Sequence, residues 1–355
     1  MGKLPTASSQ NKTRSAEERD IKIIRTAALR DSLSLVVRQT VLDKEGNIMN
    51  IQICKNVKED AALRHSFNAL AGETFGLDFE PWYQYGYWGE RYIPYCAVHE
   101  GQVVANVSVN LMDFSAEGSP HRFLQLGTVM TKPAFRRQGL CRRLMEEIEK
   151  DWTGYAQGIY LFANNTVLDF YPRFGFTRMG ETKYTRSLSV CRQEDISAPK
   201  ERPSSPALSS PSGSDAARKV NMDTKEGRDA LWCAVRDSAD NGSFAMRNNP
   251  GLVLFYATSF MKDQVYYLPE ANAYVIAEVV EDTLCLDGIF SPAPLDPLTA
   301  ALALGSSCSR LELGFAPSDP EGYETSPLWE DDDALFVKGE ILLPRAARFP
   351  ILSHA

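Results

Sequence analysis

The sequence of 355 residues contains no Cys-x-x-Cys pair and no histidine cluster. Its seven cysteines (Cys54, Cys96, Cys141, Cys191, Cys233, Cys285 and Cys308) are odd in number and scattered, and its four histidines lie away from them. That spacing argues against a disulfide framework and a zinc site, and it suits a reducing compartment. No apolar run approaches the roughly 20 residues of a membrane span, and the N-terminal stretch lacks a secretory apolar core. We therefore expect no metal, no membrane partner and a cytoplasmic location. An excess of positive charge is also missing. The net charge of −8 argues against nonspecific nucleic-acid binding. What remains is an ordinary globular composition, 44% hydrophobic and 24% charged, on a chain long enough for two cores.

The most informative stretch runs from Gln125 to Phe176. Phe123 to Thr131 reads as an apolar strand. Leu140 to Trp152 reads as a helix, with Leu140, Leu144, Ile148 and Trp152 on one stripe and charges opposite. Between them stands a short basic loop around Arg136, Arg137 and Gly139. A strand, a tight loop and a helix start aim backbone N–H groups and the positive end of a helix dipole at one spot, which suits phosphate. The usual nucleotide loops, G-x-x-x-x-G-K-[ST] and G-x-G-x-x-G, are absent from this loop.

Arg136-Arg-Gln-Gly139-Leu-Cys141 resembles the pyrophosphate loop [RQ]-x-x-G-x-[GA] of the GNAT family of N-acetyltransferases, with Cys in the last position. Downstream, Asn164, Phe170, Tyr171, Gly175 and Phe176 fall in register with that family's later motif, and Val167 replaces its usual Ala. The resemblance covers about residues 49 to 190. It implies an α+β fold, with a mixed, mostly antiparallel sheet flanked by helices. It also implies acetyl-CoA as co-substrate and an amine-bearing small molecule or peptide as acceptor. By the same resemblance, the backbone of Val129, Met130 and Thr131 would pair with the pantetheine arm. The N–H groups of Arg137, Gln138, Gly139, Leu140, Cys141 and Arg142, with Arg136 and Asn164 nearby, would hold the coenzyme. Tyr171 would be the general acid for the leaving thiolate; its other reading is a core tyrosine. Cys141 reads as packing. The fourth strand carries Gln125 where relatives often place a carboxylate. The base is left open among Asp113, Glu90, a water and the C-terminal carboxylate. The competing class is a module that holds acyl-CoA without turnover, or a scaffold for a protein partner.

In order, residues 1–48 read as an extension, polar through residue 20, then a helix from Asp20 to Leu42 or a strand over Leu33 to Leu42. The first domain runs over 49–190, with its first strand at Ile51. Its segment Phe75 to Tyr92 is dense in aromatics. It reads either as a cation-binding surface with Asp78, Glu80 and Glu90 or as packing that pins a loop. Ile93 to His99 and Val103 to Asn110 form a hairpin around Glu100-Gly101. Residues 191–218 are a Pro- and Ser-rich linker. Residues 219–355 repeat the strand and helix order in a smaller α+β domain. They read either as a degenerate, GNAT-like copy of a two-domain, bacterial-type member or as an unrelated α+β domain. Ser291 to Pro297 stands where a phosphate loop would be, with prolines that remove N–H donors.

Overall fold

The structure, a computed structural model, describes residues 37–42, 48–116, 118–188, 216–305, 307–341 and 347–354. Most of the proposed linker and N-terminal extension lies outside these residues. The strands are β1 (Val37–Leu42), β2 (Ile48–Lys55), β3 (Tyr92–His99), β4 (Gln102–Ala116), β5 (Ser119–Thr131), β6 (Gly158–Ala163), β7 (Thr177–Arg178) and β8 (Glu181–Ser187). They continue as β9 (Arg218–Lys219), β10 (Phe244–Arg247), β11 (Val265–Leu268), β12 (Ala273–Val280), β13 (Thr283–Phe290), β14 (Arg310–Leu313), β15 (Glu324–Leu328) and β16 (Ala334–Gly339). The helices are α1 (Ala61–Phe75), α2 (Glu80–Gln84), α3 (Leu140–Trp152), α4 (Lys225–Arg236), α5 (Pro250–Thr258) and α6 (Pro297–Ala303). The fold is α+β, with mixed sheets flanked by helices.

The chain forms two compact units. The first comprises Met1–Leu77, Ile93–Val107 and Val129–Thr153. Its strands pair in the order β1-β2-β3-β4. The β3–β4 turn places Glu100 at φ 48° and Gly101 at φ 76°, the left-handed pair that a two-residue hairpin needs to match strand twist. Asp60 starts α1 by accepting from the N–H groups of Ala62 and Leu63, both at 3.0 Å. Helix α3 buries Leu140, Leu144, Met145, Ile148 and Trp152. At its C-terminal end Asp151 accepts hydrogen bonds from Lys55 Nζ at 2.6 Å and Tyr95 Oη at 2.8 Å.

Strand β1 corrects the expected start of the folded region. It precedes Met49 and pairs antiparallel with β2, from Val37 opposite Ile53 to Leu42 opposite Ile48. Of the two readings for this stretch, the strand is the one that forms over Val37–Leu42, because β-branched residues fit a pleated surface. A chain begun at Met49 should therefore melt at a lower temperature than the full chain, since it leaves the β2 edge unpaired. Thermal denaturation of both chains checks this. Equal melting temperatures would show that β1 adds nothing.

The second unit comprises Asp78–Tyr92, Ser108–Thr128 and Gly154–Ala355. One set of its strands pairs as β4-β5-β6-β16-β7, with β10 beside β4. The β5–β6 pair is parallel. A separate sheet has the order β15-β8-β14-β13-β12-β11-β9. Sequence order and spatial order part company here. Strand β16, near the C-terminal end, lies between β6 and β7, whereas β8 leaves its sequence neighbours to pair with β14 and β15. The proposed domains 49–190 and 219–355 thus exchange strands.

The second sheet repeats a local topology: antiparallel β12–β13, helix α6, then β14 parallel to β13. At the start of α6 the Asp296 carboxylate caps Thr299 N at 2.9 Å. An anionic cap fills the place where a phosphate would need open N–H groups.

Candidate functional site

In the first unit, β5 ends at Thr131 and the chain makes a single 3₁₀ turn over Pro133–Phe135. Arg137 at φ 67° and Gly139 at φ 77° both turn left-handed, and Gly139 becomes the N-cap of α3. A glycine cap supplies no side-chain acceptor, so the first turn of α3 has no side-chain cap. A Cβ placed on Gly139 would meet nothing within 4 Å. The space in front of this helix start is open, and Arg136 and Arg137 are exposed beside it. Side chains brace the loop from behind. Arg136 Nε donates to Thr131 O at 3.1 Å, and Gln138 Nε2 donates to Ala134 O at 3.1 Å. Cys141 Sγ lies 3.2 Å from Thr131 Oγ1, and burial pushes its thiol up from the usual range. A thiol held protonated is a packing group and a poor nucleophile. Val129 is half-buried and Met130 buried on the same strand end.

In the second unit, parallel pairing of β5 with β6 stops at Leu126 opposite Leu161. Two residues later Thr128 adopts φ 50°, a costly conformation for a β-branched residue. The Tyr92 and Thr128 hydroxyls lie 2.5 Å apart and pin this kink. Asn164 caps the 3₁₀ turn that follows β6, accepting from Thr166 N at 3.1 Å. Tyr171 opens the next turn, Tyr171–Phe174, and is 5% exposed. Phe170, Phe176 and Phe336 surround its ring at centroid distances of 5.2, 6.0 and 5.7 Å.

Two sequence readings change. Among the base candidates, Asp113 is held by Arg91 and Arg122, each at 2.6 Å and each on a different carboxylate oxygen. Burial raises its carboxyl, but these two guanidinium partners outweigh burial and hold it below the usual range. A carboxylate so engaged is a poor proton acceptor. Gln125 is fully buried and accepts from Asn110 Nδ2 at 2.8 Å. Glu90 is exposed.

The aromatic segment is packing. Phe79, Trp82, Trp88 and Tyr92 are buried against one another, and Phe79 stacks on Phe255 of α5 at 5.0 Å. Trp82 Nε1 donates to Gly251 O at 2.8 Å. At the exposed edge of the segment the Tyr85 ring is already covered by the Arg228 guanidinium, 4.0 Å from its centroid.

The C-terminal segment is docked, as its apolar sequence suggests. Tyr160 Oη donates to Ser353 O at 3.0 Å, and the His354 ring stacks on Phe162. The terminal carboxylate belongs to Ala355, outside the described residues. No described helix is long and apolar enough to cross a membrane.

Known proteins fit this picture. The family model for the acetyltransferase (GNAT) domain matches residues 90–178. No curated protein sequence matches the chain. Among solved structures, a probable N-acyltransferase from Enterococcus faecalis is similar at a TM-score of 0.50 and 16% identity, over 81% of this chain and 72% of that one. Eis1 from Mycobacterium abscessus is similar at 0.48 and 17%, over 80% and 72%. A GCN5-related N-acetyltransferase from Kribbella flavida is similar at 0.47 and 14%, over 81% and 72%. Strand, glycine-capped helix and matched segment agree: residues 90–178 of this chain are similar to the acetyltransferase (GNAT) domain.

Proposed function

We propose that the chain moves an acetyl group from acetyl-CoA to a primary amine by direct attack of the amine. The observation that carries this reading is the open, glycine-capped start of α3 behind two exposed arginines, inside a GNAT domain. The fit of the coenzyme rests on Gly139. Its left-handed φ and the empty space before its Cα suit close approach of a pyrophosphate to backbone N–H groups. Gly139, Leu140, Cys141 and Arg142 would supply N–H groups, with charge from Arg136 and Arg137. Val129 and Met130 would offer strand-edge backbone to the pantetheine arm; at Thr131 the carbonyl already accepts from Arg136. Asn164 would act by shaping the turn it caps.

Bound acetyl-CoA supplies an activated acyl group and a thiolate leaving group. Tyr171 would hold the proton that the thiolate takes. With Asp113 locked between arginines, we assign removal of the amine proton to water. The Asp113 lock and the amide at Gln125 also favour a second reading, an acyl-CoA-binding module without turnover.

The test has two parts. Release of free CoA from acetyl-CoA across a panel of amines and peptides should exceed the rate without acceptor. Binding without release across the panel would favour the module. Gly139→Glu should weaken CoA binding by at least about tenfold in titration calorimetry, because it places a side chain and a negative charge where the pyrophosphate would lie. Unchanged affinity would remove the loop from the site.

A further inference from the structure

A second feature lies wholly within the second unit. Strands β12 and β13 pair with Ile276 opposite Gly288 and then Ala277 opposite Leu286, so Asp287 is the extra residue of a β-bulge. Bulges re-aim a side chain and recur beside functional sites. Asp287 lines a cavity of about 80 Å³ whose apolar wall includes Phe244, Ile289, Phe290, Phe315 and Leu352. Gly314 keeps room for the carboxylate, since a Cβ there would sit 2.7 Å from Asp287 Oδ1.

The other charges of the wall are already neutralised. Arg236 holds Asp237 through two hydrogen bonds of 2.8 and 2.6 Å, and Arg247 pairs with Asp240 at 2.5 Å. Asn241 spends both ends of its amide on Ile289 O and Leu295 N. Among the described residues, Asp287 forms no hydrogen bond or ion pair. One carboxylate without a partner therefore lines a cavity that has an apolar wall on one side and polar groups on the other.

We propose that this cavity binds an organic ammonium ion, with the charged end on the Asp287 carboxylate and the apolar tail along the phenylalanine wall. The chemistry is complementary: the ligand's charge replaces the missing counter-ion, and its tail is removed from water. The claim concerns binding alone and does not depend on acyl transfer.

Burial, followed by the charge of Glu278, pushes the Asp287 carboxyl up to about 6. The other groups facing it are Glu312 of β14, which also raises it, and Arg348 and His354 of the C-terminal segment, which lower it. Asp287 is then ionised at pH 7.5 and largely neutral at pH 5.0. The ligand's ammonium stays charged across that range.

The test compares n-hexylamine with 1-hexanol on the full chain by titration calorimetry. At pH 7.5 the amine should bind about tenfold more tightly, the scale of one charged hydrogen bond. The preference should shrink to about threefold or less at pH 5.0. Asp287→Asn, which keeps the shape, should erase it at pH 7.5 while the variant still melts cooperatively. Equal binding of the two probes by the wild type would overturn the proposal. So would a preference that survives in Asp287→Asn, because the amine would then be held by the acidic surface at large.

Discussion

Lys55→Met should cost the folded protein about 3–5 kcal/mol at neutral pH, the range for stranding one side of a buried ion pair. The Lys55 side chain is 3% exposed, and its ammonium lies 2.6 Å from Asp151 and 3.7 Å from Glu147. Tyr95 Oη donates to the same Asp151 oxygen and in turn accepts from Trp152 Nε1 at 3.0 Å. One cation thus serves two carboxylates at the end of α3. Methionine fills the volume but removes the cation beside buried Asp151 and leaves Glu147 only the exposed Lys150, 3.9 Å away. Asp151→Asn should cost less than Lys55→Met, because Glu147 remains beside the ammonium. Urea unfolding at pH 7 checks both statements. Equal midpoints for wild type and Lys55→Met at pH 7 would show the cluster to be energetically neutral.

None of that cluster was legible in the sequence, whereas its neighbours were. The buried stripe of α3 follows from spacing alone, and the Glu100-Gly101 turn follows from residue type. In the second half, Val265–Leu268, Ala273–Val280 and Thr283–Phe290 form as the apolar runs dictate. What escaped was long-range pairing. Nothing local in Ala334–Gly339 says that it will lie between β6 and β7, because strand exchange is decided by which edges are free once the rest has folded. The short strand β10 carries no local signal for the same reason; Phe244–Arg247 gains its pairing from β4.

The site divides along the same line. Backbone features such as the loop at Gly139 are encoded locally and readable, whereas Asn164 to Arg173 reads as one short helix and forms two 3₁₀ turns, Asn165–Val167 and Tyr171–Phe174. Side-chain partners are not readable locally. Asp113 stands among the base candidates in the sequence because its partners Arg91 and Arg122 lie 22 and 9 residues away. The aromatic run at Phe75 to Tyr92 admitted two readings until Phe255 of α5 supplied the ring that closes the cluster. Asp287 carries no local signal, since a bulge is a property of two paired strands and not of one.

Tyr171→Phe should lower turnover by at least tenfold and leave acetyl-CoA affinity nearly unchanged. The leaving thiolate has a conjugate acid near pKa 8.5, by analogy with cysteine. Protonating it as the bond to carbon breaks is worth about 10²- to 10⁴-fold for a well-placed acid. Phenylalanine keeps the ring that Phe170, Phe176 and Phe336 enclose and removes only the hydroxyl. The loss should therefore fall on kcat, as expected for an interaction made only in the transition state. A tyrosine that serves packing alone makes the opposite forecast: the melting temperature shifts and the turnover of folded enzyme holds. Both quantities are to be read on one preparation. Full turnover in a folded Tyr171→Phe protein would leave water as the donor and return Tyr171 to the core.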